Sequence, residues 1–169
     1  RAALEAEVTS LGLPKFRARQ LWRWVWRHGL TSFYEMSDLG KPVRDQFAKF
    51  FTADRPAVSR RLKSVDGTIK WLLRFADGHE AESVYIPDKD RGTLCISSQV
   101  GCSLTCSFCH TGTQKLVRNL KVEEICGQVL LAMDELADWP AGKLGRRLTN
   151  IVLMGICLLY TSPSPRDRS

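Results

Sequence analysis

Hydrophobic residues in the first third of the chain recur at helical spacing. In the segment LPKFRARQLWRWVWRHGL this spacing predicts a helix over about 14–28, with Pro14 near its start and Gly29 as its C-cap. A second helix is predicted to begin near Ser37 or Asp38, which are good N-cap residues. The predicted apolar faces comprise Leu21, Trp24, Val25 and His28 in the first helix and Val43, Phe47 and Phe50 in the second. Together the two helices predict a small bundle.

The pattern changes from helical to strand-like in the middle of the chain. Three runs, AVSRRLKSV, TIKWLLRF and HEAESVYI, are joined by the dipeptides Asp66-Gly67 and Asp77-Gly78. Asp-Gly between such runs is a strong signal for a hairpin turn, so a β-meander is predicted. After the turn PDKDRG, the run TLCISSQV indicates a further strand that leads into a cysteine-rich loop.

Helical spacing returns over about residues 121–138, in KVEEICGQVLLAMDELAD. The apolar residues that repeat there are Val122, Ile125, Val129, Met133 and Leu136. The short apolar run TNIVLMG then suits a buried parallel strand. Strand, loop, helix and strand predict one βαβ unit, and in parallel α/β folds the chemistry lies at the C-terminal ends of the strands.

Composition is typical of a folded globular chain, because 44% of the 169 residues are hydrophobic and 25% are charged. No run approaches the roughly 20 apolar residues that a membrane span requires, and no signal peptide is evident, so the cytoplasm is the expected compartment. The net charge of +7 is concentrated in residues 1–63, which hold 13 Lys and Arg against 6 Asp and Glu. This asymmetry suits attraction to nucleic-acid phosphates, although a solvated basic helical face gives the same pattern.

The segment GCSLTCSFCHTG contains a cluster of three cysteines, Cys102, Cys106 and Cys109. In a reducing compartment this cluster favours metal binding or catalysis over disulfides. A structural zinc site takes four protein ligands, so zinc would have to recruit His110 or Cys95. A [4Fe-4S] cluster held by three thiolates would instead keep one iron open to bind a small molecule. The spacing favours the iron–sulfur cluster and leaves zinc as the alternative.

The residues around these cysteines resemble a known enzyme family. Cys-x3-Cys-x2-Cys with an aromatic residue before the last cysteine, here Phe108, is the signature of radical S-adenosylmethionine enzymes. Two longer stretches resemble the RNA adenine C2 methyltransferases known as RlmN. They are AESVYIPDKDRGTLCISSQVGCSLTCSFCHTGTQKLVRNL and LPKFRARQLWRWVWRHGLTSFYEMSDL. The resemblance extends from near residue 4 to about residue 155.

The resemblance implies a role for each matching residue. Cys102, Cys106 and Cys109 would hold a [4Fe-4S] cluster whose open iron binds S-adenosyl-L-methionine. Cys95 would help to resolve a covalent protein–RNA adduct, and Glu82 would accept a proton. The implied reaction is radical methylation of adenine C2 in 23S rRNA and tRNA, with an electron donor protein as a further partner and no membrane involved.

The resemblance also sets the expected architecture. The fold class is α/β: a small N-terminal helical domain, a β-hairpin or meander linker, and the first βαβ unit of a radical S-adenosylmethionine partial TIM-type barrel. The expected domains are a basic helical RNA-binding-type domain at 1–55, a β-meander connection at 56–92, and the start of the barrel with its Fe–S loop at 93–156.

The end of the chain departs from the family pattern. A Gly-Glu-Pro motif that binds S-adenosyl-L-methionine should follow IVLMG, but the chain continues with Ile156, Cys157 and Leu158. Residues 157–169 resemble translated sequencing-adaptor sequence and are expected to be a non-native tail. An incomplete barrel is expected in consequence, and this chain alone is expected to be inactive.

Two other functions fit the same residues. A non-catalytic, metal-stabilised RNA-binding module would need only the basic helices and a zinc-filled cysteine site. A radical S-adenosylmethionine enzyme acting on another substrate would need only the cysteine motif. Without the resemblance, Cys95 fits a small buried strand residue and Glu82 an ordinary strand carboxylate.

Overall fold

The computed structural model describes residues 1–102, 114–142 and 144–153. The chain forms two compact units. Unit 1 comprises Arg1–Arg55 and Leu130–Arg147, and unit 2 comprises Pro56–Val129 and the chain from Leu148 onward. Among the described helices, none combines the length and the apolar composition needed to cross a membrane.

Helices form the first part of unit 1. They are α1 (Ala2–Ser10), α2 (Phe16–His28), a short 3-10 helix (Phe33–Glu35) and α3 (Lys41–Phe50). The first predicted helix is confirmed, and Gly29 follows α2 in the left-handed conformation, with φ 73°, that a C-cap glycine adopts. α3 begins later than predicted, with Pro42 in its first turn, a position where proline leaves no hydrogen bond unmade.

The core of unit 1 collects side chains from all four of these elements. Its buried members are Val8, Ala18, Leu21, Phe33, Met36, Leu39 and Phe47. Leu21 and Phe47 therefore occupy the core as predicted, and Trp24 packs against it. Phe50 is 54% exposed and His28 is exposed as well, so the apolar faces of α2 and α3 are narrower than the spacing predicts.

Asp38 joins α2 to the segment before α3 and does not cap α3. Its carboxylate accepts hydrogen bonds from the indole N–H of Trp24 and from Nε2 of Gln20, and it pairs with Arg23. Partial burial alone would raise the pKa of Asp38, but the hydrogen bonds from Trp24 and Gln20 and the charge of Arg23 together lower it. The contacts of the Asp38 carboxylate therefore stabilise the fold above the ordinary carboxyl pKa, and this stabilisation is lost as the pH falls through the lowered pKa.

Unit 2 is organised around a five-stranded sheet. In spatial order the strands are β1 (Ala57–Lys63), β2 (Ile69–Arg74), β3 (Glu80–Asp88), β4 (Arg91–Ile96) and β7 (Asn150–Leu153). A separate two-stranded ribbon comprises β5 (Gln99–Val100) and β6 (Arg118–Asn119). β1 to β4 pair antiparallel, which confirms the meander. β7 pairs in parallel with β4, and α4 (Val122–Glu135) lies between them in sequence, which confirms the βαβ unit. The prediction that this last strand is buried is wrong, because three of its four residues are exposed.

The two faces of the central strands differ in exposure. One face is buried and carries Ile69, Trp71, Leu73, Ala81, Ser83, Tyr85, Leu94 and Ile96. Because successive strand residues point to opposite faces, Glu82, Val84 and Cys95 lie on the other face, which is more open. The indole Nε1 of Trp71 is buried and has no hydrogen-bond acceptor among the described residues.

The predicted stripe of α4 is confirmed only in part: Leu136 is buried and Ile125 packs against a buried cluster. Val122, at the start of the helix, is 75% exposed. The buried residues of this region are Gln128, Leu130, Leu131, Ala132 and Leu136. The boundary between the two units falls within this helix, between Val129 and Leu130.

Candidate active site

Glu82 and Cys95 lie on the same face of the sheet, on neighbouring strands. The β3–β4 register pairs Val84 with Cys95, and Glu82 comes two residues before Val84. Residues two apart on a strand, and residues paired across strands, share a face. The carboxylate of Glu82 is 48% exposed and contacts Nζ of Lys70 at 2.7 Å. The structure thus places both predicted side chains near the C-terminal end of β4.

Cys95 is a half-buried thiol in the interior of the sheet. It lies between Val84 of β3 and Val152 of β7. Burial raises the pKa of the Cys95 thiol above its ordinary value, because a low-dielectric environment disfavours the thiolate. At neutral pH Sγ therefore keeps its proton.

The cysteine-rich segment leaves and rejoins the described structure at one place. The backbone N–H of Cys102 donates to the carbonyl of Gln114 at 3.1 Å, and Cys102 forms an isolated β-bridge with Lys115. β5 and β6 pair antiparallel directly outside this contact. The two ends of the segment 103–113 are therefore held together, with Cys102 buried at 8% exposure beside them.

Gly101 permits the close approach of the two ends. Its φ is 77°, in the left-handed region that residues with a side chain rarely adopt. A Cβ at this position would overlap the carbonyl oxygen of Lys115. The tight base of the loop thus requires glycine for two separate reasons.

Arg118 supports the base of the loop from β6. Its guanidinium donates to both carboxylate oxygens of Glu124, at 2.7 and 2.8 Å, and to Oδ2 of Asp77 at 2.6 Å. The hydrogen bonds from Arg118 lower the pKa of Asp77 and that of Glu124, and the two carboxylates raise the pKa of Arg118. One side chain therefore ties β6 to the β2–β3 turn and to the first turn of α4.

The structure describes one of the three predicted cluster ligands, Cys102. Cys106, Cys109, His110 and Cys157 lie outside the described residues. Within the described ranges, no three His, Cys, Asp or Glu side chains come together as a metal site. Thiolates are the soft donors that bind iron–sulfur clusters, and Cys102 lies at the fixed base of the motif, so the donor set is chemically suited to a cluster.

Two residues that hold neighbouring elements together, Arg118 and Gln128, were not singled out by the sequence pattern. Gln128 lies in α4 and is 1% exposed. A polar residue within the apolar run GQVLLAM was the available signal for it. The sequence signal for Arg118 was weaker. It consisted of two acidic residues that attract a cation: Asp77 in a turn, and another in the first turn of a helix.

The basic side chains of α2 divide into two groups. Arg23 pairs with Asp38 and Arg17 donates to Gln20, whereas Arg19 and Arg27 are exposed and have no side-chain partner in the part of the chain that the structure describes. The ring of Trp22, which is 37% exposed, lies 5.2 Å from that of Trp26 on the same helix. α2 therefore presents cations and aromatic rings together, the combination that RNA-binding surfaces use.

Comparison with known proteins points to one family for both units. The family described as Ribosomal RNA large subunit methyltransferase N-terminal domain matches residues 1–52. The chain is 54% identical over 168 residues to the Dual-specificity RNA methyltransferase RlmN of Rhizorhabdus wittichii, and 57% identical over 158 residues to that of Ruegeria pomeroyi. These alignments cover 99% and 90% of this chain, and 42% and 40% of the two relatives.

A solved structure gives the same result at the level of the fold. The crystal structure of a radical SAM methyltransferase from Sphaerobacter thermophilus matches with a TM-score of 0.80 and 38% identity. The match covers 92% of this chain and 44% of that protein. The chain thus spans about two fifths of the length of the curated relatives that it matches. Over the part that it spans, by sequence and by fold, the chain belongs to the RlmN family.

Proposed function

We propose that this chain is part of an enzyme that methylates C2 of adenine in RNA, with a [4Fe-4S] cluster and S-adenosyl-L-methionine as cofactors. The observation that carries the proposal is the fixed base of the cysteine loop beside the β4 end that bears Cys95. The relatives are named dual-specificity RNA methyltransferases, and the family matched by residues 1–52 is named for the large ribosomal subunit RNA. rRNA and tRNA are therefore the proposed substrates.

Cys102, Cys106 and Cys109 are the proposed cluster ligands. When bound, the cluster and S-adenosyl-L-methionine supply the radical chemistry that an electron-poor carbon without a lone pair needs for methylation. The chain itself supplies position. Gly101 and the Cys102–Gln114 hydrogen bond fix where the loop begins and ends.

Glu82 and Cys95 are the proposed proton acceptor and adduct-resolving thiol. Their shared face lets one substrate contact both side chains. The ion pair with Lys70 holds the Glu82 carboxylate on that face. The raised pKa of Cys95 keeps a proton on Sγ until a base within hydrogen-bond reach removes it.

α2 is the proposed contact for the RNA backbone. A target adenine must leave its stack to reach a buried site, so folded RNA has to be held elsewhere through its phosphates. Arg19 and Arg27 are exposed and can contact those phosphates. The proposed compartment is the cytoplasm, where thiols stay reduced, and a protein that donates an electron to the cluster is the further partner.

RNA binding tests the role of α2. The double variant Arg19→Ala/Arg27→Ala is expected to weaken binding to an rRNA fragment and to flatten its salt dependence, by about 0.7–0.9 in slope for each phosphate that the protein no longer neutralises. The matched control is Arg91→Ala/Lys121→Ala, which removes the same charge from exposed positions in unit 2. Filter-binding titrations between low and moderate salt give the slopes. Equal reductions in both doubles would mean that net charge alone, and not α2, attracts the RNA.

Anaerobic reconstitution with iron and sulfide tests the cluster. The wild-type chain is expected to turn brown, bind about four irons and give a [4Fe-4S] EPR signal after reduction. Cys106→Ala is expected to lose that signal, because one of the three thiolates is gone. Cys126→Ala is the matched control, since Cys126 is a free thiol on α4 outside the motif. A colourless wild-type protein that carries zinc would favour the metal-stabilised RNA-binding module instead.

A further inference from the structure

A buried amide beneath the sheet has all its hydrogen-bonding positions occupied. Oε1 of Gln128 accepts from Oγ of Ser83 at 2.7 Å and from the backbone N–H of Ser97 at 2.9 Å. Nε2 donates to the carbonyl of Ser97 at 2.8 Å and to that of Glu124 at 3.3 Å. An amide has two donor and two acceptor positions, so the group is fully satisfied although it is 1% exposed.

Ser97 is the residue that this amide holds. It directly follows β4, and Gln128 pairs with both its N–H and its carbonyl, as a neighbouring strand would. Oγ of Ser97 also donates to the carbonyl of Glu82 at 2.8 Å. Ser97 is therefore tied to α4 through its backbone and to β3 through its side chain.

These ties lie just beyond the end of the β3–β4 ladder. The last pair of that ladder is Val84 with Cys95. If the same register continued for two more residues, Glu82 would lie opposite Ser97. A shift of one residue would turn every side chain of a strand to the opposite face. The hydrogen bonds of Ser97 extend this register beyond the ladder, to the position opposite Glu82.

We propose that Gln128 is a positioning residue, which sets the placement of Glu82 relative to Cys95 by holding Ser97 at the end of β4. Its four hydrogen bonds go to neither of the two side chains. The importance of their placement rests on the function proposed above. The hydrogen bonds of Gln128 do not depend on that function, so their effect can be tested without cofactor or RNA.

The test is the rate at which iodoacetamide alkylates Cys95 in the full chain, at fixed pH and without metal, with mass spectrometry to identify the peptide. Gln128→Leu keeps the size of the side chain and removes all four hydrogen bonds. The end of β4 should then separate from β3 and expose Sγ, and alkylation should rise about tenfold, the rate change expected for about 1.4 kcal/mol. Circular dichroism checks that the variant is folded.

Two variants separate positioning from mere filling of space. Gln128→Glu should stay near the wild-type rate, because a buried carboxyl remains protonated and can still donate to and accept from Ser97. Ser83→Ala removes one hydrogen bond to the same amide oxygen but leaves Ser97 held, so it should also stay near wild type.

Unchanged alkylation of Cys95 in folded Gln128→Leu would overturn the proposal. If that variant does not fold, Gln128→Asn decides, because an amide on a side chain one methylene shorter cannot reach both the N–H and the carbonyl of Ser97. Faster alkylation there supports the proposal, and a wild-type rate rejects it. Failure of cluster assembly in the wild-type chain would count against the proposed function alone, since this experiment uses no cluster.

Discussion

Gly101→Ala is expected to open the base of the cysteine loop and to abolish cluster assembly. The new Cβ would overlap the carbonyl oxygen of Lys115, and that atom belongs to backbone that cannot turn aside. A side chain in the left-handed region adds about 1–2 kcal/mol. Together the two effects should break the hydrogen bond from Cys102 to Gln114. Iron bound per chain is then expected to fall to background, and alkylation of the buried Cys102 to rise at least about tenfold.

Gly12→Ala is the control for backbone strain. Gly12 has the same φ of 77°, but a Cβ there would meet nothing within 4 Å. This variant should lose a little stability and keep wild-type iron content and Cys102 protection. If Gly101→Ala behaves like Gly12→Ala, the close approach of the two loop ends does not govern cluster assembly.

Trp71→Ala is expected to lower the free energy of unfolding by about 3–5 kcal/mol. Trp71 is at 0% exposure, in the middle of β2, on the buried face of the sheet. Its removal leaves a cavity that a sheet paired on both sides cannot close, because β2 is held between β1 and β3. Urea denaturation followed by far-ultraviolet circular dichroism measures the change without depending on tryptophan fluorescence.

Trp71→Phe separates packing from the polar N–H. Phenylalanine keeps most of the aromatic volume and removes the buried Nε1, which finds no acceptor among the described residues. An unsatisfied buried donor costs about 1–3 kcal/mol. Removing this unsatisfied donor should offset most of the free energy lost through the smaller side chain, and the stability of Trp71→Phe should stay close to that of the wild type. A destabilisation as large as that of Trp71→Ala would instead indicate that Nε1 makes a stabilising hydrogen bond.

Local signals in the sequence predicted most of the secondary structure. The Asp-Gly dipeptides mark turns because glycine takes a positive φ there, as Gly67 and Gly78 do. The helical spacing around Leu21 and the C-cap at Gly29 predicted α2 in the same way. The parallel pairing of β7 with β4 followed from the order of strand, helix and strand, since a right-handed crossover returns the chain to the same sheet.

The remaining features depend on interactions between residues far apart in sequence. Gln128 meets Ser83 across 45 positions and Ser97 across 31, and nothing near Gln128 specifies either partner. Asp38 was a plausible helix cap by its type, but its carboxylate is taken by Trp24 on the preceding helix. Glu82 and Cys95 were identified through family resemblance, and only the register of β3 and β4 places them on one face.

The joined residues on either side of the 103–113 segment fix where this segment enters and leaves the described structure. Both ends are anchored at the β5–β6 ribbon, and the entropy cost of closing a loop between fixed ends grows by only about 0.6 kcal/mol for each doubling of its length. A designer who wishes to transplant the motif would need three features in the recipient: a short antiparallel ribbon, a left-handed glycine, and an arginine tied to the next helix.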